Sequence, residues 1–176
     1  MPPDDEEAII ERIARRILEK AGKAERPRVK GYRRLDASTP HGVYVYDKGS
    51  GLWLPLPAGG AFKPYRDGFY AVYFDNTRCP ACRVYDAVWY AYVELVGRRI
   101  PDTEFVVVLC EWFSGRCGSR AAAESFREYG VRASPTTVLL RVEGGEIAGR
   151  RDLRGVRGVG ELARELEEFR KAYPVR

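Results

Sequence analysis

The sequence predicts an α/β sandwich on a mixed central sheet, and three observations carry that prediction. Phe105-Val106-Val107-Val108-Leu109 is a continuous apolar run, the mark of a central strand covered on both faces. A second apolar run, Phe69-Tyr70-Ala71-Val72-Tyr73-Phe74, is followed by a helical pattern from Pro80 to Val96. Strand and helix patterns then continue in the order β-α-β-α-β-β-α, the signature of helices packed on a sheet. With 176 residues and 45% hydrophobic content the chain is long and apolar enough to bury such a core.

The chain divides into an N-terminal extension over residues 1–60 and a main domain over 61–176. Residues Asp5 to Ala21 have helical periodicity, with Ile9, Ile13 and Ile17 at i+4 spacing, acidic residues leading and Gly22 as the stop. That apolar stripe needs a cover, which is either the rest of the chain or a second copy in a homo-oligomer. A basic connector follows. Val43-Tyr44-Val45-Tyr46 and Leu52-Trp53-Leu54, around the turn Asp47-Lys48-Gly49-Ser50-Gly51, then read as a β-hairpin.

In the main domain, the helix after Cys79 presents Val84, Tyr85, Val88, Trp89, Tyr92 and Val96 as its apolar face and ends at Gly97. Ser119 caps a helix from Arg120 to Tyr129, which Gly130 ends. Thr136 to Val142 and Gly145 to Gly149 make two strands about a Glu143-Gly144 turn, and Leu162, Leu166 and Phe169 define a last helix stopped by Pro174.

Composition narrows the function classes. There are 30 basic and 25 acidic residues, no Gln, a single Asn (Asn76) and a single His (His41), the pattern of a thermophile that favours ion pairs over heat-labile side chains. No apolar run spans a bilayer. The start, Met1-Pro2-Pro3-Asp4-Asp5-Glu6-Glu7, is acidic where a secretory signal is basic and then apolar, so the expected location is cytoplasmic. A net charge of +5 and the cluster Arg26, Arg28, Lys30, Arg33 and Arg34 around Tyr32 invite a nucleic-acid reading. No nucleic-acid motif accompanies the cluster, and dispersed charge in an Arg-rich chain accounts for it.

Chemistry concentrates at Cys79-Pro80-Ala81-Cys82, on the predicted strand-to-helix junction. A thiol at a helix N-terminus faces unpaired backbone N–H groups and the positive end of the macrodipole, both of which favour the thiolate. Only the thiolate attacks disulfides, so Cys79 is the expected nucleophile and Cys82, one turn on, the resolving thiol. Cys110 and Cys117 admit three readings: a structural disulfide pinning the loop between them, a second redox pair, or free thiols. All four cysteines together would suit a closed zinc site, but the six residues between Cys110 and Cys117 exceed the usual ligand spacing, and zinc would quench the nucleophile. No metal is expected, and His41 receives no role.

This order of elements, with a dithiol after the first strand of the main domain, resembles the thioredoxin superfamily. Tyr129-Gly130-Val131-Arg132-Ala133-Ser134-Pro135-Thr136 is similar to the family's segment entering its antiparallel strand. The resemblance covers roughly Phe62 to Tyr173. It implies a three-layer α/β/α sandwich, a cis bond before Pro135, and substrate held by Pro135 with the backbone of Ser134 or Thr136. It further implies that Cys110 ends its strand on the sheet edge that carries the dithiol. There are departures. Arg78 and Pro-Ala replace the usual residues around the cysteines, and Tyr73 stands where the family has a buried acid. Asp75 is the nearest acidic candidate to deprotonate Cys82. Arg78 is expected to lower the pKa of Cys79 and so raise the potential above that of ordinary thioredoxin, about −270 mV.

The expected activity is thiol–disulfide exchange with protein disulfide or dithiol substrates, recycled by a separate reductase or oxidant and requiring no cofactor. The alternative is a binding module in which Cys79–Cys82 is a stable staple. Trp112 and Phe113 either flank the dithiol as a partner surface or pack their own loop.

Overall fold

The computed structural model describes residues 29–174. The helix expected over Asp5 to Ala21, and Arg26 and Arg28 of the basic cluster, lie outside the described residues. Six strands form one sheet: β1 (Gly42–Asp47), β2 (Leu52–Pro55), β3 (Gly68–Asn76), β4 (Thr103–Cys110), β5 (Thr136–Glu143) and β6 (Glu146–Arg154). The helices are α1 (Pro80–Leu95), α2 (Arg120–Glu128) and α3 (Val159–Ala172), with a 3-10 turn at Gly97–Arg99.

The strand order is β2-β1-β4-β3-β5-β6, and only the β3–β4 pair is parallel. The sheet is therefore mixed, with helices on both of its faces, as the expected three-layer α/β/α sandwich requires. Every residue of β3 and β4 is buried, as expected of central strands with both faces covered. Alternate residues feed two cores. Phe69, Ala71, Tyr73, Phe105, Val107 and Leu109 face α1 and α3, against Trp89, Leu166 and Phe169. Tyr70, Val72, Phe74, Val106 and Val108 face α2 and Phe126 on the other side. The hairpin forms, and β1 pairs antiparallel to β4, so β1 and β2 extend this sheet.

Two boundaries differ from expectation for physical reasons. The β5–β6 turn is Gly144-Gly145 rather than Glu143-Gly144. A two-residue hairpin loop of this kind needs positive φ twice, and Gly144 (61°) and Gly145 (79°) supply it. Asp67 secures the turn by accepting from both backbone N–H groups, at 2.8 and 2.9 Å. On α1 the buried face is Cys82, Tyr85, Trp89, Tyr92 and Val93, whereas Val84 is 62% exposed and Val96 40%. Helical geometry explains this, since residue 84 lies about 200° around the axis from residue 82.

The packing fixes the site. Fully buried Trp89 touches the rings of Tyr73, Tyr85 and Phe105, which seats α1 on β3 and β4. Burial of each such aromatic contributes roughly 1.5–3 kcal/mol, so the start of α1 is held firmly above the end of β3.

Candidate functional site

Cys79 is the N-cap of α1, with extended backbone (φ −90°, ψ 114°), and Pro80 occupies the first helical position, where a missing N–H costs nothing. The cap is a sulfur: the Cys82 backbone N–H donates to Cys79 Sγ at 3.2 Å. Both Cys79 and Cys82 are free thiols, Cys79 partly exposed and Cys82 buried. Opposite them, the Ser134–Pro135 peptide bond is cis. The Cys79 thiol lies 3.5 Å from the Ser134 carbonyl oxygen. Thr136 opens β5 and bonds through Oγ1 to the Ala133 carbonyl at 2.8 Å. Pro135 is tied to the rest of the fold by the Gly155 N–H, 2.8 Å from its carbonyl oxygen.

The two thiols are electrostatically unequal. Burial opposes ionisation of Cys79, but hydrogen bonds from the Cys82 and Ser134 side chains and from the Cys82 and Ala81 N–H groups outweigh it and lower its pKa. Burial first, and then the neighbouring Cys79, push Cys82 up to about 12. An accessible thiol that ionises more readily than usual, beside a buried thiol held neutral, is an arrangement that can attack a disulfide and then close on itself.

Arg78 is placed differently from its expected tuning role. Its guanidinium pairs with Glu111 at 3.1 Å, and its side chain is 70% exposed. Hydrogen bonds, rather than the guanidinium charge, lead the causes that lower Cys79. Glu111 is held in turn by Ser114 Oγ at 2.8 Å, inside a loop closed by the Cys110–Cys117 disulfide, whose Cα atoms are 5.1 Å apart. With two of the four thiols in that bond, the four-cysteine zinc arrangement is not formed. The loop is stitched to the dithiol segment by Thr77 N–H to the Cys110 carbonyl (3.0 Å) and Trp112 N–H to Asn76 Oδ1 (3.1 Å). Trp112 and Phe113 both pack on Phe126 of α2, with ring centroids at 6.0 and 6.3 Å. His41, given no role from sequence, accepts from the Gly118 N–H at 2.8 Å and pins the far end of the same loop.

Asp75 lies on β3 on the same face as Tyr73 and is fully buried. Its partner is Arg83 of α1, which also reaches Asp86 Oδ2 at 3.2 Å. Tyr73 donates its hydroxyl to Asp86 Oδ1 at 2.9 Å and lies 3.3 Å from the Cys82 carbonyl. Burial raises the Asp75 carboxyl; burial and then the Asp75 charge raise Asp86 to about 7. Sequence reasoning found Asp75 but missed Asp86, Arg83 and Glu111. The available signal was the i,i+3 spacing of Arg83 and Asp86 on a helix that must pack over Asp75.

Elsewhere, Arg33 and Arg34 are exposed and join Arg98 around a cavity of about 530 Å³ that contains none of these site residues. Among the described residues no helix is long and apolar enough to cross a membrane.

No protein-family model matches the chain, and no curated protein matches it. Solved structures with a similar chain path include thioredoxin from Aeropyrum pernix, at 19% identity and a TM-score of 0.47 over 78% of this chain and 98% of that one. Thioredoxin from Trichomonas vaginalis has 22% identity and a TM-score of 0.45 over 58% of this chain and 79% of that one. Mitochondrial thioredoxin 3 from Saccharomyces cerevisiae has 21% identity and a TM-score of 0.39 over 58% and 80% of the respective chains.

Proposed function

We propose that this protein is a thiol–disulfide oxidoreductase that exchanges disulfides with protein substrates through Cys79 and Cys82. The observation that carries the reading is the sulfur N-cap: Cys79 Sγ accepts the Cys82 N–H at 3.2 Å, with a buried partner thiol one turn along α1. A structural staple has no need of one thiol held ready to ionise and one held protonated.

In the reducing direction the Cys79 thiolate attacks one sulfur of a substrate disulfide, and the other sulfur leaves as a thiolate. The product is a mixed disulfide between Cys79 and the substrate. Cys82 then loses its proton and attacks Cys79 Sγ, forming the Cys79–Cys82 disulfide and expelling the second substrate sulfur. Pro135, with Ser134 and Thr136, lies across from Cys79 and holds the extended substrate segment. Run backwards, the same steps oxidise a substrate dithiol. A separate reductase or oxidant resets the pair, and the chemistry requires no bound cofactor.

The test is trapping. Cys82→Ser incubated with a disulfide-bearing protein such as insulin should accumulate a mixed disulfide at Cys79, identified by mass spectrometry and released by dithiothreitol. Absence of any adduct at Cys79 would reject the assignment.

A further inference from the structure

A second concentration of charge lies at the far end of α1, roughly 20 Å from Cys79 by the length of that helix. The connector before β1 pairs with the edge of β2. Tyr32 and Trp53 exchange both backbone hydrogen bonds, at 2.9 and 2.7 Å, and this brings the following Arg33 and Arg34 to the wall of the cavity of about 530 Å³. Arg98, just past the end of α1, is the third guanidinium on that wall. It is held in place by the β1–β2 turn: Nε donates to the Lys48 carbonyl at 2.8 Å and Nη2 to the Gly49 carbonyl at 3.2 Å. Its Nη1 has no partner among the described residues. That nitrogen lies 3.6 Å from the point where a side chain on Gly51 would begin, and the Tyr46 hydroxyl lies 3.6 Å from the same point. Tyr46 is 4% exposed, and its hydroxyl has no hydrogen-bond partner among the described residues, a standing cost to the fold. Two unused donors therefore meet over a glycine at the cavity wall.

Charge narrows what could use them. The wall carries three guanidiniums and one carboxylate, Glu94, and none of the three arginines forms an ion pair among the described residues. The nearby Asp47 is engaged by its own turn, accepting from the Ser50 N–H at 2.9 Å and the Gly49 N–H at 3.4 Å. A phosphate monoester, at about −1.5 to −2 near neutral pH, matches the surplus of positive charge. Guanidinium forks bind its oxygens in pairs, which an ammonium does not. The volume is larger than one phosphate fills and falls among sites for small organic molecules, about 300–1,000 Å³. Leu52 and Trp53 supply apolar wall for the rest of such a molecule.

We infer that this cavity binds a small organic phosphate monoester. Its phosphate group lies among Arg33, Arg34 and Arg98, accepting from Arg98 Nη1 and from the Tyr46 hydroxyl in the space that Gly51 leaves open. The site shares no residue with the dithiol and does not depend on the exchange reading.

Isothermal titration calorimetry on the full chain tests this, with glycerol 3-phosphate, ribose 5-phosphate and adenosine 5′-monophosphate as probes. At least one should bind one-to-one with a Kd of about 1 mM or tighter, more weakly as salt is added. Inorganic phosphate and succinate, a dicarboxylate, should bind at least about tenfold more weakly than that probe. Tyr46→Phe should weaken the probe by about tenfold while leaving the thermal midpoint unchanged or higher, because the hydroxyl it removes has no partner in the fold. Arg33 and Arg34 are exposed, so Arg33→Gln with Arg34→Gln keeps the fold and should weaken the probe by about tenfold or more. Both variants should still form the Cys79 adduct with insulin at the wild-type level. No saturable binding by any of the three probes overturns the site, as does binding that neither variant weakens. Equal affinity for inorganic phosphate rejects the organic ligand, and equal affinity for succinate rejects the phosphate. An oligonucleotide without terminal phosphate that displaces the probe at lower concentration also overturns the proposal, and gives the arginines to a nucleic-acid backbone.

Discussion

The backbone N–H of Cys82 donates to Cys79 Sγ at 3.2 Å, so in the proposed exchange the residue that resolves the disulfide would also stabilise the thiolate that starts the reaction. Hydrogen bonding to the charged form lowers a pKa, whereas burial of the neutral thiol raises it, and the two cysteines separate on that basis. In the reduced protein, iodoacetamide should therefore modify Cys79 and spare Cys82 up to strongly alkaline pH. The Cys79 rate should rise with pH through a midpoint below the ordinary thiol value of about 8.5. Alkylation followed by mass spectrometry checks this; equal labelling of both thiols at neutral pH would contradict it.

Arg78 pairs with Glu111 at 3.1 Å, and the hydrogen bonds to Cys79 do not depend on it. Arg78→Ala should accordingly move the Cys79 alkylation midpoint by no more than about 0.3 pH unit, the size of a screened surface charge effect. Glu111→Gln, which releases the guanidinium, should move the midpoint down. A large upward shift in Arg78→Ala would restore the role that sequence alone suggested for it.

The Cys110–Cys117 bond closes a loop with a sequence separation of 7, and that loop holds Thr77 and Asn76 in place. Chain-entropy arguments put the contribution of so short a loop at about 2.5 kcal/mol. Replacing both cysteines by Ala should lower the unfolding free energy by about that amount in urea, without abolishing mixed-disulfide formation at Cys79. Loss of the adduct in a variant that still folds would make the second pair part of the exchange chemistry.

Much of this arrangement was legible in the chain. The run Phe105 to Leu109 specified a doubly covered strand because apolar residues on both faces leave no solvent side. Cys79-Pro80-Ala81-Cys82 specified its own local geometry because an N-cap and a first-position proline are short-range features. What sequence did not reveal depends on long-range packing. Glu111 reaches Arg78 from a different loop, 33 positions on, and nothing in either segment announces the pair. Asp86 reads as an ordinary polar helix residue until Trp89 docks on Tyr73 and brings α1 down over Asp75. The Gly144-Gly145 turn was misplaced by one residue because alternation alone does not distinguish two adjacent glycines as turn centre, whereas the demand for two positive φ angles does.

Asp86 also ties stability to pH. Burial and the neighbouring Asp75 charge push its carboxyl up to about 7, above the ordinary aspartate range, so the folded protein keeps a proton that the unfolded chain has already released over that interval. Its stabilising contribution is therefore complete below about pH 4 and is lost as pH rises through about 7. The slope is at most about 1.4 kcal/mol per pH unit for one proton. Urea unfolding of the reduced protein at acidic and alkaline pH should show the wild type losing more stability than Asp86→Asn. Parallel pH dependences would contradict the raised carboxyl.

The central claim, that Cys79 and Cys82 are a working exchange pair, is tested most directly by redox titration against glutathione and dithiothreitol buffers, with thiol trapping and mass spectrometry following each cysteine. The account predicts a reversible midpoint for Cys79–Cys82 between about −120 and −270 mV. A pair that stays oxidised below about −300 mV would be a structural staple, and the exchange function would fall.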